Sequence, residues 1–131
     1  MTMQEAVNLL LRRVPEFASE RSSDTSFLSY NDDSPYLVFG DLARFLVNRV
    51  KQEPTNSEIE ALLTKSFGLL SDMATSAEDS IVNLAQVGVF EVLTDSPEAV
   101  LAARQHLSGK AADVFEDVVD LWAPKQKLSE E

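Results

Sequence analysis

The chain of 131 residues has no cysteine and a single histidine, His106. Without thiols, neither a disulfide framework nor a thiolate zinc site can form, and nothing supports an extracellular setting. One imidazole is also too few for a multi-histidine metal site. We therefore predict no metal ion and no cofactor, and we interpret His106 as a surface or structural residue rather than a catalytic base.

Glycine is scarce as well, with four residues, so a glycine-rich phosphate cradle is hard to build. No set of serine, histidine and aspartate suggests an activated nucleophile. The acidic residues are expected on helix faces, whereas general acid or base chemistry needs carboxylates in a pocket that shifts their pKa. We predict that the protein is not an enzyme and has no catalytic residue.

Long apolar runs are missing, since no stretch approaches the roughly 18 apolar residues of a membrane span. Near the N-terminus, Glu5 precedes a short apolar core and Arg12 and Arg13 follow it. This charge order is the reverse of that in a signal peptide. We expect a cytoplasmic protein that does not associate with membranes.

Basic residues are outnumbered, with 11 lysines and arginines against 22 aspartates and glutamates and a formal net charge of −11. Residues 72–122 hold ten acidic and two basic residues, so most of the excess lies there. Such a field disfavours nucleic acid and anionic membranes and favours a basic protein partner. Solubility alone is an equally good explanation of the composition.

The most apolar stretch, residues 79–93, predicts a central helix because apolar residues cover most of its circumference. Its apolar face is made by Ile81, Leu84, Ala85, Gly88, Val89 and Val92. Glycine inside a helix costs about 1 kcal/mol relative to alanine. Gly88 is therefore expected where a neighbouring backbone comes close, and Thr75 or Ser76 is expected to cap this helix.

Capping signals and apolar periodicity predict five further helices. Thr2 and Glu5 form a capping box for the first, which should stop near Pro15. The other four cover residues 36–50, 55–73, 97–107 and 110–122.

Serine followed by proline occurs at two possible helix starts. The helix over residues 36–50 begins either with Ser34 and Pro35 or at Asp41. Ser96 and Pro97 open the helix over 97–107, whose apolar stripe is Val100, Leu101 and Leu107.

Residues 16–35 are rich in serine and aspartate, which predicts a loop with at most a short helical turn. Its aromatic residues, Phe17, Phe27 and Tyr30, are expected to anchor it to the core. Six helices and no strand predict an all-α domain over residues 1–123, followed by a disordered tail at 124–131. We predict a single compact bundle, with HEAT-like hairpins as an open alternative.

The last predicted helix has four carboxylates on one face, because their positions are i, i+3, i+4 and i+7. They are Asp113, Glu116, Asp117 and Asp120. No lysine or arginine is interleaved among these four acids. The apolar face on the opposite side of the helix ends at Trp122. The four acids form either a solvated face or a docking strip for a basic partner, with Asp95 and Glu98 as rim contacts.

Three segments carry a resemblance to a known family: YLVFGDLARFL at 36–46, IVNLAQVGVFEVL at 81–93 and FEDVVDLW at 115–122. Together they resemble an uncharacterised family of small bacterial all-α proteins over residues 35–123. The resemblance implies a fold and assigns no catalytic residue. These proteins are similar in size and acidity to immunity proteins encoded beside secreted polymorphic or contact-dependent toxins.

Composition and resemblance together favour an immunity protein that neutralises a basic toxin, a nuclease above all, by covering its nucleic-acid site with carboxylates. The competing hypothesis is a helical adaptor or regulatory domain that binds through an apolar groove and uses its charge only for solubility. A third hypothesis is mimicry of DNA toward a DNA-binding protein. Salt dependence of partner binding separates the first two.

Overall fold

The computed structural model describes the backbone of residues 1–23, 34–52 and 57–130, and the side chains of these residues except 21–23, 52 and 122–130. The described residues are helical nearly throughout and contain no strand, which confirms the predicted all-α bundle. The first four helices are α1 (Met3–Arg13), α2 (Pro15–Ser23), α3 (Pro35–Gln52) and α4 (Ser57–Ala74).

The second half of the chain contains α5 (Asp79–Ala85), a π-helical turn (Gln86–Phe90), α6 (Glu91–Leu93), α7 (Pro97–His106) and α8 (Gly109–Glu130). α5, the π turn and α6 run on as one helix over residues 79–93, which we name the central rod. If the central rod is counted as one helix, the described residues form seven helices, one more than the sequence predicted.

The predicted capping box at the start of α1 is present. The Thr2 hydroxyl accepts a hydrogen bond from the Glu5 amide at 3.1 Å, and the Glu5 carboxylate accepts one from the Thr2 amide at 2.9 Å. These bonds satisfy two amides that have no partner inside the helix, and the bond from the Thr2 backbone lowers the pKa of Glu5. α1 ends at Arg13, as predicted from Pro15.

Residues 15–23 form helix α2 where the sequence predicted a loop, so that prediction was wrong for this segment. Pro15 occupies the first helical position, which needs no amide hydrogen, so the proline that ends α1 also begins α2. Phe17 is buried and meets the Phe45 ring edge to face, with the ring centroids 5.5 Å apart. It is therefore a core anchor, as predicted, whereas Phe27 and Tyr30 lie outside the described residues.

The polar side of α2 forms ion pairs with helices that are far away in the sequence. Glu16 pairs with Lys65 of α4 at 2.8 Å, and Glu20 pairs with Arg49 of α3. The hydrogen bond from Lys65 lowers the pKa of Glu16. Lys65 is 49 residues from Glu16 along the chain and Arg49 is 29 residues from Glu20, so no local pattern reveals these pairs.

α3 begins at Pro35, and the Val38 amide donates to the Ser34 carbonyl at 3.0 Å. This confirms the earlier of the two predicted starts. Leu42, Phe45 and Leu46 are buried. Thr55, where the sequence predicted the next helix to begin, lies outside the described residues.

The central rod contacts α1, α3, α4 and α8, and it is buried over most of its circumference. A Cβ atom placed on Gly88 would lie 3.4 Å from Leu84 Cδ1 and 3.4 Å from Phe39 Cβ. The three atoms nearest to that Cβ all belong to side chains, so the α3 neighbours of Gly88 are side chains, whereas the sequence predicted the close approach of a neighbouring backbone. The rod is capped differently from the prediction: Glu78 is the N-cap residue, and Ser76 Oγ accepts from the Glu78 amide instead.

Ser96 and Pro97 begin α7 as predicted, since Ser96 Oγ accepts a hydrogen bond from the Ala99 amide at 3.2 Å. The predicted apolar stripe was wrong at Leu101, which is 58% exposed, whereas Val100 is partly buried against the core. The fully buried face of α7 consists of Ala99, Ala102 and Ala103. α7 packs on α3 and α4, and small side chains allow helices to approach closely. Leu107, also in the stripe, is buried.

The end of α8 extends past Pro124, where the sequence predicted the folded domain to stop. The side chains of residues 122–130 are outside the part of the chain that the structure describes, and so is residue 131. The prediction for the tail at 124–131 and the predicted core role of Trp122 therefore stay predictions.

Ser66 of α4 is fully buried, and within the described chain its hydroxyl has no hydrogen-bond partner. An unsatisfied buried hydroxyl costs about 1–3 kcal/mol, and alanine is also the better helix former. We expect Ser66→Ala to raise the free energy of unfolding by about 1 kcal/mol, measured by urea denaturation beside the exposed control Ser80→Ala. A loss of stability on substitution would instead show that the hydroxyl is paired in solution.

Candidate functional site

The predicted acidic strip lies along the solvent side of α8. Asp113, Asp117 and Asp120 are exposed, while the opposite side of the helix is buried through Ala111, Phe115, Val118 and Val119. Phe115 meets Phe90 of the central rod edge to face at 5.2 Å, which fixes the rotation of α8. Within the described residues, none of the three aspartates has a hydrogen-bond or ion-pair partner. The strip is therefore held in place by the buried side of its own helix.

The fourth acid of the strip, Glu116, forms an ion pair with a basic residue, which corrects the expectation of four unpaired carboxylates. Arg104 of α7 donates from Nε and Nη2 to the two oxygens of Glu116, both at 2.9 Å. This bidentate pair lowers the pKa of Glu116 and raises that of Arg104, and Asp120 adds a smaller charge contribution to the second shift. No basic residue lies between Asp113 and Asp120 on α8, but Arg104 reaches the strip from α7.

The Arg104–Glu116 pair makes stability depend on pH. Because the folded-state pKa of Glu116 is lowered, its stabilisation is present above the ordinary glutamate pKa and is lost as the pH falls through the folded value. Both side chains are about half exposed, so solvent screening limits the contribution to roughly 0–1 kcal/mol.

We expect Glu116→Gln to lower the free energy of unfolding at neutral pH by about 0.5 kcal/mol and to have a smaller effect near about pH 3. Chemical denaturation at both pH values measures the change. Asp113→Asn is the matched control, because that carboxylate has no partner within the described chain. A deficit of equal size at both pH values would mean that packing, and not charge, explains the effect.

The predicted rim residues, Asp95 and Glu98, flank the start of α7 and are both exposed. Glu98 accepts a hydrogen bond from Ser96 Oγ at 3.0 Å, and bonds from its own backbone amide and from Ser96 lower its pKa. In the described part of the chain, no hydrogen bond or ion pair joins either residue to α8. The structure thus groups Asp113, Asp117 and Asp120 on one helix face and places Asp95 and Glu98 elsewhere.

His106 lies at the end of α7 and is mostly buried. Its ring stacks on Phe67, with centroids 5.8 Å apart and planes 11° from parallel, and Nε2 lies 3.2 Å from a carboxylate oxygen of Glu60. The imidazole thus joins α7 to α4, which agrees with the structural interpretation made from the sequence.

Surface depressions also lie outside the strip, and two of them bear on the possible functions. Sequence reasoning found neither of the two. The first is a groove of about 220 Å³ between α3, α4 and α7, which we name the α7 groove. Its apolar lining is Val50, Ile59, Leu63, Leu101 and Ala102, and Glu60 and Glu98 also border it. The exposed Leu101 belongs to this groove and explains the error in the predicted stripe of α7.

The second depression lies at the C-terminal end of the central rod, has a volume of about 260 Å³, and is named here the rod groove. It is lined by Val87, Glu91, Val92, Thr94 and Asp95. Val87, in the π turn, is 45% exposed, although the sequence around it is apolar. The only sequence signal for this groove was Asp95, predicted as a rim contact.

Over the described ranges, no group of three or more histidine, aspartate or glutamate side chains is arranged to hold a metal ion. Among the helices in these ranges, none combines the length and the apolar character needed to cross a membrane.

Residues 7–123 match a family model described as Domain of unknown function (DUF7674). No curated protein and no solved structure matches the chain.

Proposed function

The chain belongs to the DUF7674 family, and from this premise we propose that it is a binding module, a cytoplasmic immunity protein that neutralises a basic bacterial toxin. The toxin is a nuclease of a contact-dependent or polymorphic toxin system. The observation that carries the proposal is the row of exposed carboxylates at Asp113, Asp117 and Asp120 on α8, which have no hydrogen-bond or ion-pair partner among the described residues.

The physical argument for a basic partner is electrostatic complementarity. A nuclease cleft is lined with lysine and arginine to hold phosphates, so a rigid row of carboxylates meets a potential of the opposite sign. Because the buried side of α8 already fixes the row, binding costs little additional ordering. Such contacts speed association and make it sensitive to salt.

The proposal is tested with the triple variant D113N/D117N/D120N beside the charge-matched control E58Q/D72N/D79N, whose residues are exposed on other helices. Each tagged protein captures partners from its native host at low salt, and the affinity of the purified partner is then measured as salt is raised. We expect the triple variant to bind at least about tenfold more weakly, with the loss mostly in the association rate. The control should bind like wild type.

The toxin assignment needs a separate measurement. The captured protein should degrade nucleic acid, and one equivalent of wild-type protein should stop it. A partner that is retained by the triple variant, or one without nuclease activity, contradicts the proposal. Circular dichroism shows that each variant is folded.

The α7 groove favours the alternative function, a helical adaptor. Its lining is mainly apolar, and Leu101 is 58% exposed within it. An adaptor that binds there would be insensitive to salt. Leu101→Asp would then abolish partner capture, while the triple variant on α8 would leave it unchanged.

A further inference from the structure

The exposed edge at the end of the central rod combines apolar surface with two carboxylates, Glu91 within the rod and Asp95 just after it. Val87 and Val92 supply the apolar surface of the rod groove, and Glu91 and Asp95 border it. Within the described chain neither carboxylate has a hydrogen-bond or ion-pair partner, and the groove lining includes no basic residue. This edge therefore has an unneutralised charge next to exposed apolar surface.

The π turn contributes to this arrangement. A π turn inserts an extra residue into a helix, and such turns occur often at functional sites. Here it places Val87 at the surface while Gly88 and Val89 beside it are buried. Further along the same edge, Asn83 donates a hydrogen bond to the Tyr36 hydroxyl at 2.7 Å, which holds a partly exposed aromatic ring next to Gly88.

Arginine has the chemistry that matches this groove. Its aliphatic stem covers apolar surface while its charged end stays in the solvent layer, and its guanidinium has five donors that can serve two carboxylates together. The groove volume of about 260 Å³ is several times the roughly 30 Å³ of one water molecule in the liquid, so a long side chain fits.

We propose that the rod groove binds an arginine side chain of the partner, with the stem on Val87 and Val92 and the guanidinium between Glu91 and Asp95. This inference rests on the proposed function, since it takes the partner to be a basic protein. It adds a second contact surface, formed by the central rod and separate from the strip on α8, and it names the side chain that is recognised there.

The test uses the probe peptide acetyl-Gly-Arg-Gly-amide, titrated into ¹⁵N-labelled protein at moderate salt and followed by amide chemical shifts. Two control peptides replace arginine with citrulline, which keeps the shape without the charge, or with 2-amino-3-guanidinopropionate, which keeps the charged guanidinium on a stem that is two methylenes shorter. We expect saturable shifts at residues 83–95 with the arginine peptide and at least about fivefold weaker binding of both controls.

Two variants of equal charge change separate the rod groove from the strip on α8. E91Q/D95N should remove the shifts at residues 83–95, whereas D113N/D117N should leave them unchanged. Arginine-dependent shifts confined to residues 109–121 would overturn this inference and leave the proposed function intact. Equal binding of the three peptides, or no saturable shift at residues 83–95, would also overturn it, and the partner experiment then decides the proposed function independently. Thermal unfolding confirms that both variants are folded.

Discussion

Replacing Phe90 by alanine is expected to lower the free energy of unfolding by about 3–5 kcal/mol, the range for deleting a buried phenylalanine. Phe90 is fully buried in the central rod and packs edge to face on Phe115 of α8. The substitution removes buried area, leaves a cavity and ends the aromatic contact. Since a domain of this kind is stable by only about 5–15 kcal/mol, the loss is a large fraction of the total.

Chemical denaturation of Phe90→Ala is compared with Phe90→Leu and with the exposed control Leu101→Ala. Leucine keeps most of the apolar volume, so it should lose less than half as much stability as alanine. The control should change stability by no more than about 0.5 kcal/mol. A loss below about 1 kcal/mol in Phe90→Ala would mean that α8 does not pack on the rod in solution.

Gly88→Leu is expected to destabilise the protein by about 2–3 kcal/mol through overpacking. The first added atom already lies 3.4 Å from both Phe39 Cβ and Leu84 Cδ1, and 3.9 Å from Tyr36 Cδ1. Every further atom must displace α3 or force a strained rotamer. The substitution should also disturb the bond from Asn83 to Tyr36, because that ring lies beside Gly88.

Gly88→Ala is the matched variant for this position. A contact at 3.4 Å is ordinary van der Waals contact, and alanine regains up to about 1 kcal/mol of helix propensity. We therefore expect thermal unfolding of Gly88→Ala within a few degrees of wild type and a clearly lower transition for Gly88→Leu. Equal transitions for the two variants would show that α3 can move away from the rod without cost.

Long, strongly apolar segments and local caps were predictable from the sequence because their causes are local. The capping box at Thr2 and Glu5 and the start at Ser96 and Pro97 each depend on a few neighbouring residues. α2 was missed because its stability comes from Phe17 against Phe45 and from ion pairs to α3 and α4. Those partners become neighbours only after folding.

The error on α7 has a different cause. A ranking of residues by hydrophobicity predicts burial of leucine in preference to alanine, but the buried face of this helix is made of Ala99, Ala102 and Ala103. Close packing against α3 and α4 selects small side chains, and a pattern based on hydrophobicity does not report distance between helices.

The candidate site was predictable in part. Helical spacing located Asp113, Asp117 and Asp120 on one face, and the structure places all three there. Spacing along a single helix could not show that Arg104 reaches Glu116 from α7. The rod groove could not be predicted from the sequence either, because it depends on a π turn that no apolar periodicity indicates.

The central rod has one exposed edge on an otherwise buried circumference, and the two sides tolerate change very differently. Substitutions at Val87, Glu91 and Asp95 fall outside the core, where most changes alter stability by no more than about 0.5 kcal/mol. Changes at Leu84 or Phe90 cost several times more. Natural variation can therefore alter what this edge presents to the proposed partner while the fold persists, so related chains can diverge in recognition by substitution at a few positions along this edge.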